Sequence, residues 1–195
     1  MNKNIVTLGE SRLSYVHLLA PQPPKNPNDE PKYGCTVLLP KSDTASKARL
    51  DAAIAAAIDL GVQTKWDGVR PPRVDIAVYD GDGGRPSDGM PFGAECKGCW
   101  VISCRSSRQP GIVDTALQPI MEAGRVYSGV YARVNLTMYP YKAQGKKGIA
   151  AGLNHVMITR DGDVLGGGVS VAEAFGDTVA PQPASGAIPL DDLPF

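Results

Sequence analysis

The 195-residue chain lacks any apolar stretch near the ~20 residues that a membrane-spanning helix requires. Its first residues also lack the continuous apolar segment of a secretory signal peptide. We therefore expect no membrane partner and a protein that stays in the cytoplasm. The four cysteines, Cys35, Cys96, Cys99 and Cys104, are then expected to be reduced thiols.

Histidine is scarce, and the usual patterns of enzymes and metal sites are incomplete. Cys96 and Cys99 have the spacing of half a zinc site, but the sequence has no matching second pair of ligands. Thiols that are buried or lie at a sheet edge are the simpler interpretation, and a metal site is the alternative. Residues 80–84 resemble a calcium loop but lack its third acid and closing glutamate, and residues 145–147 do not complete a phosphate loop. We expect no cofactor, no metal and a binding protein that is not an enzyme.

Glycine and proline are abundant, with 22 and 17 residues, which disfavours a helical bundle and favours short strands joined by turns. The 20 basic and 20 acidic residues balance, but their distribution is uneven. Residues 1–172 hold all 20 basic residues and 16 acids, whereas residues 173–195 hold four acids and no base. A basic body with an acidic tail indicates a polyanionic partner.

The hydrophobic pattern predicts one helix and several strands. The helix begins with Ser42 or Asp43 as its cap, ends at Gly61, and has apolar residues on one face at Leu50, Ile54, Ala57 and Ile58. The predicted strands are residues 5–8, 13–19, 33–39, 74–79, 100–105, 127–141 and 148–159, of which the last two form an antiparallel pair. This order predicts a mainly β domain over residues 1–172, a small antiparallel barrel with one packed helix. Residues 173–195 are predicted to be a flexible acidic tail.

The segment 127–141 alternates between two kinds of side chain, as expected for a strand with two different faces. The inward face is apolar: Val130, Ala132, Val134, Leu136 and Met138. The outward face carries four tyrosines around an arginine and an amide: Tyr127, Tyr131, Arg133, Asn135, Thr137, Tyr139 and Tyr141. Aromatic rings can stack on every base of a single strand, and arginine can pair with phosphate. This face is therefore the main candidate for binding single-stranded nucleic acid.

Three lysines follow in the predicted hairpin loop: Lys142, Lys146 and Lys147. Phosphate charge dominates the affinity of nucleic-acid binding, so a flexible basic loop can follow the backbone. The tyrosines could equally serve the fold or a protein contact. Tyrosines stabilise strands through cross-strand pairs without any ligand, and the face could pack beneath a loop or form a subunit contact in a homo-oligomer.

Further basic and aromatic side chains are weaker candidates for DNA binding, on or beside other predicted strands: Lys97, Trp100, Arg105, Lys32 and Tyr33. Trp100 is equally well explained as a core residue. Trp66 follows the predicted helix, and it is either a mobile stacking arm or a lid on the core.

The chain ends with two acids, an apolar residue, a proline and an aromatic ring: Asp191, Asp192, Leu193, Pro194 and Phe195. A terminal carboxylate and a ring suit a partner's apolar pocket with a basic rim, and a frayed acidic end is the simpler alternative. This ending resembles that of bacterial single-stranded DNA-binding proteins, with a shorter acidic run. The body is similar to phage-encoded single-stranded DNA-binding proteins of the T7 type, which have an OB fold, at residues 127–133, 148–154 and 160–163.

The resemblance implies a five-stranded OB barrel that binds single-stranded DNA with little sequence preference in phage replication and recombination. It also implies a tail that recruits replication and recombination proteins and can occupy the groove when DNA is absent. The place of action would be the cytoplasm of the host bacterium. Two alternatives remain: an RNA- or nucleotide-binding OB module, and a phage structural or assembly protein whose tyrosines form a protein contact.

Overall fold

The computed structural model describes residues 2–24, 27–143 and 145–165. The predicted domain boundary after residue 172 and the predicted tail, including Asp191–Phe195, lie outside these ranges. Within them, no helix is long and apolar enough to cross a bilayer.

Five long strands close into a ring. They are β2 (Ser11–Gln22), β3 (Lys32–Pro40), β6 (Cys99–Ser106), β8 (Tyr131–Ala143) and β9 (Lys146–Arg160). The order around the ring is β2, β3, β6, β9, β8 and back to β2, and only the contact between β6 and β9 is parallel among these five. This arrangement confirms the expected five-stranded barrel of the OB type.

Four shorter strands extend the edges of the ring. They are β1 (Ile5–Thr7) beside β8, β4 (Asp75–Ile76) and β7 (Gly111–Val113) beside β9, and β5 (Val78–Asp80) beside β6. The predicted strand 74–79 is thus split at Ala77, because the chain passes there from the edge of β9 to the edge of β6. The strand β7 was not predicted.

The inside of the barrel is apolar, as the alternation in β8 requires. The predicted inward residues of the segment 127–141 are all fully buried: Val130, Ala132, Val134, Leu136 and Met138. They pack against inward residues of the other strands, among them Val37, Ile102 and Val156. Each fully buried aliphatic side chain stabilises the fold by about 1.5–3 kcal/mol, so this interior fixes which side of every strand faces outward.

The predicted strand 127–141 begins too early. In the structure β8 starts at Tyr131, because Gly129 has a φ of +121° and the preceding residues form a turn against β2. The amide of Gly129 donates to the carbonyl of Leu13 at 2.7 Å, and the amide of Leu13 donates to the carbonyl of Val130 at 2.9 Å. The alternation argument therefore does not extend to Tyr127.

The helix α1 (Thr44–Thr64) packs against β8 and β1. Asp43 caps it, since its carboxylate accepts a hydrogen bond from the amide of Ser46 at 2.9 Å. The predicted end at Gly61 is wrong, because the helix continues three residues further and Gly61 is buried on its inner side. A Cβ there would lie 2.9 Å from Pro140 and from the ring of Trp66, so glycine allows close packing at this position.

Trp66 belongs to the core. Its side chain is 0% exposed, and its indole Nε1 donates a hydrogen bond to the carbonyl of Tyr141 at 3.1 Å. A base cannot stack on a ring without an exposed face. The assignment of Trp66 to DNA binding is therefore wrong, and the lid is the correct alternative.

Candidate nucleic-acid interface

An open groove of about 590 Å³ lies on the outer side of β2, β3 and β6. Across its floor, His17 is opposite Gly34, and Gly34 is opposite Arg105 in the sheet register. The loop after β2 forms one wall. The lining residues are Tyr15, His17, Gln22, Pro23, Pro24, Asp29, Glu30, Lys32, Tyr33, Gly34, Cys35, Thr36, Ser103, Cys104 and Arg105.

Tyr15 is the most exposed aromatic residue of the groove, with 70% of its surface accessible. It lies where the register of β2 against β3 shifts between Ser14 and His17, and its φ is +49°. A bulky residue in this left-handed region is strained, and such strain is concentrated at functional sites. The bulge holds the ring out into the groove instead of against the barrel. Sequence reasoning missed Tyr15 because a bulge is not visible in a simple alternation of side chains.

Lys32 and Arg105 supply positive charge to the groove. Both side chains are exposed, and neither forms an ion pair with a carboxylate in the described ranges. The stem of Arg105 lies over Gly34, where a Cβ would come within 3.2 Å of its Cγ. Asp29 and Glu30 line the same groove, so the groove carries both signs of charge. A phosphate backbone is favoured at the positions of Lys32 and Arg105.

Two thiols lie beneath the groove floor. Cys35 and Cys104 are opposite one another on β3 and β6, with their Sγ atoms 3.6 Å apart. The hydrogen bond with Cys104 and then burial raise the pKa of Cys35 well above its usual value, so it remains a thiol at neutral pH.

Burial also raises the pKa of Cys96 to about 11. In the described part of the chain, no three His, Cys, Asp or Glu side chains are grouped as ligands for a metal ion.

A second aromatic surface, which we call the tyrosine face, consists of Tyr139 and Tyr141 on the outer side of β8 together with Tyr79 on the edge strand β5. The ring of Tyr139 lies beside Gly152, and the ring of Tyr141 lies against Gly148. Burial, then the Asp75 carboxylate and the phenols of Tyr79 and Tyr139, raise the pKa of Tyr141. Tyr79 and Tyr139 thus each lie near Tyr141, and Tyr139 is the most open of the three at 42% exposed.

The predicted hairpin lysines are adjacent to the tyrosine face. Lys142 and Lys147 are opposite one another across the β8–β9 hairpin. Lys142 forms an ion pair with Asp67 at 2.9 Å, whereas Lys146 and Lys147 have no ion-pair partner among the described carboxylates. Arg133 is exposed on the same side of β8, opposite Met157.

Tyr131 and Tyr127 are less available than the alternation predicts. The guanidinium of Arg160 lies 3.4 Å from the centre of the Tyr131 ring and covers one of its faces. Glu10 accepts a hydrogen bond from this guanidinium at 2.9 Å and so holds it in place. The Tyr127 hydroxyl donates to the carbonyl of Gly162 at 3.0 Å, and its ring packs on the core. Tyr127 therefore has a structural role, and its contact with DNA stays a prediction.

Two further predicted residues lie outside the groove. Trp100 is on the core-facing side of β6, and the ammonium groups of Lys41 and Lys47 lie 5.1 and 4.6 Å from its ring centre. Lys97 lies two residues before β6, whose first residue, Cys99, is about 20 Å from Arg105 along the extended strand. Trp100 thus packs against the core and Lys97 lies outside the groove, whereas Lys32, Tyr33 and Arg105 line it. The DNA contact of Lys97 stays a prediction.

Comparison with known proteins gives one family. The sequence profile of the Enterobacter phage Enc34 ssDNA-binding protein matches residues 4–184. A curated relative, putative protein p50 of Acyrthosiphon pisum secondary endosymbiont phage 1, is 29% identical over 153 residues, which are 75% of this chain and 79% of that protein.

Solved structures agree with this result. The single-stranded DNA-binding protein from bacteriophage Enc34 in complex with ssDNA is 26% identical, with a TM-score of 0.71 over 84% of this chain and 90% of that one. The bacteriophage T7 protein gp2.5 is 15% identical over 94% of this chain and 97% of that one, and its TM-score of 0.58 shows a shared fold. The profile match spans most of the sequence, and the chain therefore belongs to the family of the Enterobacter phage Enc34 ssDNA-binding protein.

Proposed function

We propose that this protein binds single-stranded DNA, with little dependence on base sequence, in the groove on the outer side of β2, β3 and β6. Family membership supports single-stranded DNA binding by a phage protein. The observation that carries the residue assignment is the bulge at Tyr15, which presents an exposed ring in the groove that Lys32 and Arg105 also line, two cations without an ion-pair partner among the described carboxylates.

The groove would bind a strand through two kinds of contact. Bases stack on Tyr15 and Tyr33, and each stacked base contributes about 1–3 kcal/mol whatever its identity. Phosphates pair with Lys32 and Arg105, which adds an electrostatic contribution that salt weakens. Neither contact reads the edges of the bases, so binding is general. The protein acts by binding and not by catalysis.

Titration of the protein with oligothymidylate tests this proposal through quenching of tyrosine and tryptophan fluorescence. We expect tight binding, much weaker binding to duplex DNA, and a linear fall of log affinity with log salt concentration. Arg105→Gln and Lys32→Gln should each reduce the slope by about 0.7, because each removes one phosphate contact. Arg49→Gln on the helix removes the same charge away from the groove and should leave the slope unchanged. Equal slopes for all three variants would contradict the proposal.

Preference for DNA is part of the same proposal. An RNA oligomer should compete less well than DNA of the same length in this titration. Equal or better competition by RNA would favour the alternative of an RNA-binding module.

We further propose that the protein acts in phage DNA replication and recombination in the cytoplasm of the infected bacterium. Its last residues, Asp191–Phe195, would recruit partner proteins of those processes and compete with DNA for the groove. The supporting observation is chemical: the segment combines two carboxylates with a terminal aromatic ring, as a nucleotide combines a phosphate with a base.

Removal of Asp191–Phe195 tests both tail functions. Affinity for oligothymidylate should rise, most strongly at low salt, where repulsion between carboxylates and phosphates is least screened. Binding to replication proteins of the host should be lost. Unchanged DNA affinity at every salt concentration would contradict the competition, and retained partner binding would contradict the recruitment.

A further inference from the structure

The exposed residue Tyr15 belongs to a β-bulge, in which two residues of β2 stand against one residue of β3. Between the flanking register pairs, Tyr15 and Val16 are set against the single residue Cys35. A bulge of this kind disrupts the ladder locally and bends the strand. Tyr15 consequently lines the groove with most of its surface exposed, while Val16 packs against the core. The direction of the Tyr15 ring therefore depends on the peptide bond that joins these two residues.

A side chain from a distant segment holds this peptide bond. Ser128 lies in the turn before β8, and its Oγ accepts a hydrogen bond from the amide of Val16 at 3.1 Å. The amide of Val16 and the carbonyl of Tyr15 lie in one peptide plane, so a bond to this amide fixes the orientation in which the backbone leaves Tyr15. The hydroxyl also satisfies a backbone donor at the point where the bulge disrupts the ladder.

The backbone around Ser128 is itself held on both sides. The carbonyl of Ser128 accepts a hydrogen bond from the amide of Leu165 at 2.7 Å, and the amide of Gly129 donates to the carbonyl of Leu13 at 2.7 Å. Both distances are at the short end of the range for such bonds. The hydroxyl of Ser128 therefore acts from a fixed support, to which β2 and the chain that follows β9 both contribute.

We propose that Ser128 is a positioning residue for DNA binding, which acts through Tyr15 and does not contact the DNA. Its hydroxyl keeps the bulge in the conformation that presents the ring to a base. This inference rests on the proposed function of the groove. One hydrogen bond favours one conformation over another by roughly two- to tenfold, so loss of the hydroxyl should be measurable as a loss of affinity.

A double-mutant cycle with oligothymidylate titration tests the proposal. Ser128→Ala should weaken binding at least about threefold in the unsubstituted protein, and less than about 1.5-fold in a protein that already carries Tyr15→Ala. Ser128→Thr retains a hydroxyl and should bind like the unsubstituted protein. Ser11→Ala is the matched control, because it removes another serine hydroxyl of β2, which donates to the carbonyl of Gly9 at 3.1 Å, and it should leave DNA affinity unchanged.

Hydrogen exchange gives a second measurement that needs no DNA. In NMR spectra, the amide of Val16 should exchange at least about threefold faster in Ser128→Ala than in the unsubstituted protein. The amide of Ile102, in the core strand β6, should exchange at the same rate in both proteins, which separates loosening of the bulge from a general loss of stability.

Each outcome decides the proposal. Equal losses of affinity from Ser128→Ala with and without the Tyr15 ring would show that Ser128 acts independently of Tyr15 and would overturn it. Unchanged affinity of Ser128→Ala, or unchanged exchange of the Val16 amide, would overturn it equally. Full affinity of Tyr15→Ala would instead contradict the proposed groove, and the exchange of the Val16 amide would still decide whether Ser128 holds the bulge. Unfolding curves of each variant show that binding is measured on folded protein.

Discussion

The strained backbone at Tyr15 makes a prediction in which stability and DNA binding respond differently to two substitutions. With a φ of +49°, Tyr15 lies in the left-handed region, which costs a residue with a side chain roughly 1–2 kcal/mol. Tyr15→Ala and Tyr15→Gly both remove the ring. Only the glycine also removes the strain, so the two variants separate the role of the ring from the cost of the bulge.

The expected difference in stability follows from the backbone angle. At an ordinary strand position, glycine is less stable than alanine by roughly 0.5–1 kcal/mol. At Tyr15 the order should reverse, with Tyr15→Gly more stable than Tyr15→Ala by about 1 kcal/mol, or about 2–4 °C in Tm for a protein of this size. Thr36 in the same groove has no positive φ, so Thr36→Ala and Thr36→Gly form the control pair with the ordinary order.

Thermal and urea unfolding followed by circular dichroism measure the stabilities, and oligothymidylate titration measures binding. Both Tyr15 variants should lose the same affinity, about 1–3 kcal/mol, since both lack the stacking ring. Two results would refute the reasoning. One is a glycine variant that is less stable than the alanine variant, as at Thr36. The other is unchanged DNA affinity in both Tyr15 variants.

Two further predictions concern the fold. Trp66→Ala should lower the free energy of unfolding by about 3–5 kcal/mol, because the substitution leaves a cavity at a fully buried site. The protein that remains folded should bind DNA with unchanged affinity. A cost below about 1 kcal/mol, as for an exposed residue, would contradict the burial of Trp66. Asp43→Ala should cost about 1 kcal/mol in denaturant unfolding through loss of the helix cap. Hydrogen bonds from Ser46 lower the pKa of Asp43 below 3.8, so its charge stabilises the fold above that pH and the contribution is lost as the pH falls through the lowered pKa. Asp43→Asn should keep most of the cap and flatten this acid dependence, and an unaltered acid dependence would argue against the cap charge.

Local sequence patterns were sufficient to predict the barrel interior. The alternation from Val130 to Met138 assigned the buried side of β8 correctly, and the helix face at Leu50 and Ile54 was confirmed. Both patterns reflect contacts between one element and a single apolar core. Gly61 was misread because its role depends on the distant Pro140 and on the ring of Trp66, which both approach too closely for a Cβ.

The candidate interface could be predicted only in part, because it is assembled by contacts between distant segments. Lys32, Tyr33 and Arg105 were identified from residue type, and the register of β3 against β6 brings them together. Tyr15 was missed because a bulge changes which side of a strand a residue faces. Trp100 was included because its type suits stacking, and only the register shows that it faces the core.

Photo-crosslinking of the full chain to an oligonucleotide containing a halogenated uracil tests the central claim most directly. The groove on β2, β3 and β6 predicts covalent adducts, identified by mass spectrometry, on peptides that contain Tyr15 or Tyr33. Unsubstituted oligothymidylate should compete them away. Adducts confined to other surfaces, such as the exposed side of α1, would contradict the assignment of the groove as the DNA-binding site.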